Sequence, residues 1–434
     1  MRSMMLSMVL AGLAVGAAAP VAHAEVSLPP FYAAVSKLKP EGKLGQVLKM
    51  QRVSTPIPGA QAWRIAYVSS DLHDRKTIST ALLVAPVGKP PKGGRPIVSW
   101  AHGTTGTAQN CGPSQVENPA VPLNEYFLVN GNSWTDYGIA GLDEFIKRGY
   151  VAVATDYQGL GGGGIHQYTV SATNGRDAIN AIRAAGALKE TGAGKKAILY
   201  GWSQGGAAVL AAGSSGDYIA KKGTAFDGIE IVGVVGLAPA DTAALAPAGP
   251  MTDEQAAAFV NGSRKLMSGD LLNFSHLVMN LLGTQAAFPD TLKLTDWMTD
   301  EGAKALETIL TNKCVHVTAD TLKFNYGDKF GDLLKPEVSN VRAWADALVG
   351  GSAPNAKPVA PVMIYWGSAD TVVEPSQGAT YRTRMCALGG NVARVELPGS
   401  QTHFTVPPTA EPLYVPWIAD RFAGKPVADG CATQ

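Results

Sequence analysis

The chain has 434 residues, 46% of them hydrophobic and 16% charged, with a formal net charge of +1. That balance allows a generous core, in one large domain with an insertion or in two domains, and leaves no electrostatic footprint for nucleic acid or an acidic partner. No two of the four cysteines (Cys111, Cys314, Cys386, Cys431) have the close spacing of a zinc site, so no metal is expected.

Residues 1–24 read as an export leader: Arg2, an apolar stretch over 4–19, then Ala22-His23-Ala24 as a cleavage signal before Glu25. The apolar stretch is short for a bilayer, and no later run is long and charge-free enough to cross one. A secreted or periplasmic protein without an integral membrane segment is therefore expected. In an oxidising compartment the even cysteine count suggests two bridges, with three connectivities open; Cys111–Cys314 and Cys386–Cys431 is the favoured one, the second tying the C-terminal tail to the body.

Residues 61–86 have the pattern of a β-hairpin, 62–68 and 78–84 flanking a polar turn at Asp71, His73 and Asp74. After the breakers at 90–94 comes a buried strand, 96–100, leading into His102-Gly103-Thr104-Thr105-Gly106. A helix is expected over 139–148, a strand over 150–154, and a helix over 175–188 with Ala178, Ile179, Ala181, Ile182 and Ala185 inward. Further strands are expected at 197–200, 229–237, 361–366 and 392–397. Such alternation implies an α/β fold: a mostly parallel sheet with helices on both faces. Residues 241–358 break it. Their patterns are helical, with Leu271, Phe274, Val278 and Leu281 at the spacing of one helix face. They read as a helical cap inserted between the core segments 25–240 and 359–434, its apolar face serving as cap core, as a pocket roof, or as both.

Gly201-Trp202-Ser203-Gln204-Gly205 lies between the apolar run 197–200 and the small-residue stretch 206–212. This is a strand, a tight turn and a helix with a serine at the apex, where side chains in place of the glycines would collide with neighbouring backbone. A serine hydroxyl becomes a useful nucleophile only beside a base that a third group orients. Only His276, His316 and His403 follow Ser203. The first two fall in the cap, whereas His403 follows a strand and a short loop, where active groups of a parallel sheet collect. The acid is expected after the preceding strand, at Asp370; Glu374 competes, but precedes Pro375 and suits the start of a helix. For an oxyanion, the donors expected are the N–H of Gln204 and one from the loop after strand 96–100, Thr104 first and Thr105 next. His102 reads as a loop-packing residue, and Cys111 would pin this loop to the cap if it pairs with Cys314. A rival motif, Gly159-Leu160-Gly161-Gly162-Gly163-Gly164 with Asp177, fits a dinucleotide fingerprint in spelling only. No helix opens at its third glycine, and Asp177 falls inside a helix. Residues 156–164 read instead as a flexible loop on the active-site rim.

Taken together, Pro30-Phe31-Tyr32, residues 42–52, His102-Gly103-Thr104, Cys111-Gly112-Pro113-Ser114, residues 156–161, the serine pentapeptide, residues 367–370 and Thr402-His403 resemble the secretory lipase family of α/β-hydrolases. The likeness, to its fungal lipase A-like members and their bacterial branch, spans nearly the whole mature chain. It implies an α/β-hydrolase fold, a helical cap over an acyl pocket, no cofactor, and Ser203, Asp370 and His403 as nucleophile, acid and base. The expected activity is hydrolysis of lipid or other apolar acyl esters, with transient contact at a lipid interface. Acyl transfer, amide, aryl-ester or polyester hydrolysis, or a catalytically inactive scaffold that binds, are the alternatives.

Overall fold

The structure is a computed structural model that describes residues 26–432; the leader expected over 1–24 lies outside them. Nine strands join in one sheet: β1 (Val47–Val53), β2 (Ala60–Ser70), β3 (Lys76–Pro86), β4 (Arg95–Ala101), β5 (Val151–Gln158), β6 (Ala193–Trp202), β7 (Glu230–Leu237), β8 (Val362–Trp366) and β9 (Val392–Glu396). Their order is β1-β2-β3-β5-β4-β6-β7-β8-β9. The first three strands and the β3/β5 pairing are antiparallel; from β5 to β9 every pairing is parallel.

Side-chain alternation explains why both faces are covered. Along β6, Ala197 and Leu199 enter one core while Ile198 and Tyr200 enter the other; on β4, Ile97 and Ala101 are opposed to Val98 and Trp100. Helices Ser171–Ala187 and Gln204–Gly213 cover the first face, at a separation set by small residues: a Cβ on Gly175 would meet the Ala208 carbonyl at 2.7 Å. Helix Val406–Phe422 covers the second through Ala410, Tyr414 and Ile418.

Between β7 and β8 the described residues form helices and no strand. Asp253–Met267, Leu271–Ala287, Asp300–Leu310, Val315–Tyr326 and Val341–Gly350 are the main ones. Their starts carry side-chain caps from Thr252, Asp270 and Thr299. They share a core of their own, in which Phe274, Val278 and Leu281 pack with Trp297, Leu306 and Trp344. Disulfides join Cys111 to Cys314 and Cys386 to Cys431.

One strand was not expected and two sequence expectations change. Strand β1, Val-Leu-Lys-Met-Gln-Arg-Val, has no hydrophobic alternation because it is an edge strand held by backbone pairing to β2. The helix expected over 139–148 runs only Leu142–Lys147, because Gly141 turns left-handed (φ 69°) before it. Residues 156–158 are the end of β5, not a loop. The glycines that follow are pinned by Gln109, whose Oε1 accepts from the N–H of Gly161 (3.1 Å) and Gly163 (3.0 Å). Asp156, buried, receives hydrogen bonds from Thr80 and Ser114, so residues 156–161 pack inside the fold while Gly164 reaches the surface, and none of 156–164 lines the cavities at Ser203.

Candidate active site

Because β4, β6, β7, β8 and β9 run parallel, their C-terminal ends share one edge, and the loops carrying Thr104, Ser203, Asp370 and His403 leave from it. Ser203 stands between β6 and helix Gln204–Gly213 with φ 56° and ψ −119°. Its peptide N–H donates to the Leu237 carbonyl (2.9 Å), and its own carbonyl accepts from Ala207 and Ala240 (both 3.1 Å). The flanking glycines are steric necessities: a Cβ on Gly205 would overlap the Ala101 carbonyl, and one on Gly201 the carbonyl of Gly205.

Asp370 lies just past β8. Its Oδ1 accepts from the N–H groups of Val372 (2.9 Å) and Val373 (2.8 Å), which aims Oδ2 at His403 Nδ1, 2.7 Å away. Both side chains are almost fully buried, 2% and 3% exposed. The two loops are stitched by the Ala369 N–H to the Gln401 carbonyl (3.0 Å). Glu374, by contrast, is exposed at the start of helix Pro375–Ala387. With Nδ1 turned to a carboxylate, His403 presents Nε2 as its remaining functional atom. His403, Ser203 and Thr104 border one small cavity, together with Phe127, Trp202 and Phe404. Among the described residues, Ser203 Oγ has no side-chain hydrogen bond, to His403 or to any other group.

Gln204 turns its side chain away from this cavity. Its Nε2 donates to His166 Nε2 (2.9 Å) and to Asn174 Oδ1 (3.1 Å), while His166 Nδ1 faces the Gln158 carbonyl (2.8 Å). Burial drives the His166 pKa down to about 3, so the ring is neutral and can accept at Nε2. The backbone N–H of Gln204 is first in its helix, where no intrahelical acceptor is available to it. Thr104 Oγ1 is bonded to the Tyr168 hydroxyl (2.7 Å), whereas Thr105 Oγ1 is buried with no partner. His102 sits against the Gly103 carbonyl (2.6 Å), neutral because burial lowers its pKa to about 4. The rival acid Asp177 is consumed inside the fold, accepting from Ser79 (2.6 Å) and the Gln158 N–H (3.0 Å).

Sequence reasoning missed several residues here. Trp202, one of the two positions that the serine pentapeptide leaves unspecified, donates its indole N–H to the His403 carbonyl (3.1 Å) and sets its ring 5.2 Å from the imidazole. His166 and Asn174 lie far from Ser203 in sequence and carry no motif. Asp136 borders the same cavity, and burial raises its pKa to about 7; nearby Glu125 is raised to about 9 by burial and by Asp136. His276, placed in the cap by sequence, borders both this cavity and a second one running into the helices, as Ser203 does. Among the described residues no cluster of side chains has the makings of a metal site.

The family model described as secretory lipase matches residues 132–253 and 265–430. Lipase 9 of Candida albicans is 23% identical over 93% of this chain and 84% of its own. A protein of Mycobacterium tuberculosis named a probable inactive lipase is 24% identical over 89% and 80%. Among solved structures, Candida antarctica lipase A superposes with a TM-score of 0.67 at 17% identity, over 93% of this chain and 88% of its own. That likeness shows the α/β-hydrolase fold.

Proposed function

This chain belongs to the secretory lipase family, and from that premise we propose that it is an exported ester hydrolase working through Ser203, His403 and Asp370. The single observation that carries the roles is the buried 2.7 Å contact of Asp370 with His403 Nδ1, at a cavity that Ser203 also borders. Asp370 holds the imidazole as the tautomer with a free Nε2. That nitrogen takes the Ser203 proton as Oγ attacks the ester carbonyl. The oxyanion is held by the N–H of Gln204 and by a donor from Thr104. Collapse of the tetrahedral intermediate breaks the ester C–O bond, and His403 returns the proton to the departing alcohol. Water, deprotonated by the same nitrogen, then frees the acid from Ser203.

The helices between β7 and β8 act as a cap. The cavity that they line with Leu245, Met267, Leu277 and Leu348 receives the acyl group, and Phe127, Trp202 and Phe404 flank the alcohol side. Export agrees with the leader pattern, with two disulfides, and with the absence among the described residues of any helix long and apolar enough to cross a membrane. Transient contact with a lipid surface follows from the lipid substrates of such enzymes. Turnover of p-nitrophenyl esters and covalent labelling by a fluorophosphonate test the proposal. Both are expected in the native chain and absent from Ser203→Ala. A native chain that neither turns over nor labels would join the inactive relative, and full activity in Ser203→Ala would rule the mechanism out.

A further inference from the structure

The cavity under the helices is not uniformly apolar. Helix Leu271–Ala287 turns Asn273, His276 and Asn280 into it, the three-and-four-residue spacing of a single stripe. Two of these side chains are already engaged: Asn273 Nδ2 donates to Asp270 Oδ2 (2.6 Å), and Asn280 Nδ2 donates to Thr169 Oγ1. His276 is different. Its Nδ1 lies 2.7 Å from the Leu272 carbonyl, which can only accept, so Nδ1 carries the ring proton. Its Nε2 then holds a lone pair that no donor among the described residues meets, at a residue that borders the two cavities meeting at Ser203. The pKa is lowered, chiefly by burial and further by repulsion from His403, which keeps Nε2 an acceptor near neutral pH. Trp297, in the wall of the same cavity, also has a buried indole N–H without a partner. A plain alkyl chain laid along this wall would leave the His276 acceptor covered and unpaired, which weakens binding.

Resting on the hydrolase reading above, we infer that His276 is a specificity residue whose Nε2 accepts a hydrogen bond from a hydroxyl borne by the acyl group close to the scissile carbonyl. The favoured substrates are then esters of hydroxy acids, including short polyesters built from them, ahead of esters of unsubstituted fatty acids. One such hydrogen bond, made in place of an unpaired acceptor, is worth roughly tenfold in kcat/KM.

The test compares p-nitrophenyl 3-hydroxybutyrate and 2-hydroxybutyrate with p-nitrophenyl butyrate, each rate normalised to that ester's hydrolysis by hydroxide. The native enzyme is expected to prefer at least one hydroxy ester by about tenfold. His276→Leu should bring the ratio near one, and His276→Gln, whose side-chain carbonyl can accept, should restore part of it. The ratio is the readout, so a general loss of activity in a variant cancels. Inhibition of the native enzyme by free hydroxybutyrate against butyrate gives the same comparison without a variant. Butyrate turnover with no hydroxyl preference, or a preference that survives in His276→Leu, overturns the inference and leaves the hydrolase reading standing. A native enzyme that turns over no ester and takes no fluorophosphonate overturns both.

Discussion

Ser203 holds its hydroxyl above the sheet edge at the cost of an unfavourable backbone, φ 56° and ψ −119°, which glycine adopts freely and a residue with a Cβ does not. Strain of this kind is on the order of 1–3 kcal/mol. Ser203→Gly should therefore unfold at higher urea than Ser203→Ala, by roughly 1 kcal/mol after the greater freedom of glycine in the unfolded chain is deducted. An alanine variant as stable as the glycine one would show that the turn carries no such strain. Trp202 acts through its neighbour. Trp202→Phe keeps an aromatic ring but leaves the His403 carbonyl without its indole donor. A buried acceptor left unpaired costs about 1–3 kcal/mol. The expected result is a kcat lowered about tenfold as the imidazole shifts, with a smaller change in KM because the indole also walls the alcohol side of the cavity. A rise in KM alone would count against this. The serine turn was legible because its geometry requires glycines at fixed positions, whereas Trp202 fills a position that the turn leaves free.

At the scale of elements, the loop after β4 is fastened to the helical segment at several points. The Cys111–Cys314 disulfide closes a separation of 203 residues, the Val315 N–H donates to the Thr105 carbonyl (3.0 Å), and Thr107 Oγ1 donates to the Leu310 carbonyl (2.7 Å). Removing the bridge in a Cys111→Ser, Cys314→Ser double variant frees the unfolded chain and should cost about 2–5 kcal/mol. Because Thr104 sits on this loop, ester turnover should fall as well. Reduced stability with native kcat would mean that the remaining hydrogen bonds suffice to hold the loop. The central strands were readable from apolar runs, since they are buried on both faces. Strand β1 was not, because an edge strand needs only a neighbour's backbone. The glycine loop after β5 misled for a related reason: glycines signal sharp bends, yet say nothing about which side chain, here Gln109, will receive their N–H groups.

Across the whole molecule, buried titratable groups oppose each other in pH. Burial raises Asp156, Asp177 and Asp241 to about 6, Asp136 to about 7 and Glu125 to about 9, so the folded state binds protons that the unfolded state has lost. Their stabilising contribution is complete below the ordinary carboxyl range and disappears as pH rises through the folded values. His102 and His316, near 4, and His166, near 3, act in the opposite sense, weakening the fold as pH falls below about 6.5. Glu125→Gln removes the group that titrates last. Its urea midpoint should match the native chain only below about pH 4 and exceed it by a margin that widens from about pH 4.5 to about pH 9; equal midpoints near pH 9.5 would exclude a buried, protonated Glu125. What the amino-acid order decided by itself was the alternation of strands and helices, the serine turn, and the positions of Asp370 and His403 after successive strands, because hydrophobic period and turn chemistry are local properties. Only the tertiary structure decided that Trp202 holds His403, that His166 and Asn174 hold Gln204, and that His276 reaches the cavities at Ser203. Those contacts join residues whose neighbours in sequence say nothing of one another, and they exist only once the sheet edge and the helical segment have closed around a common space.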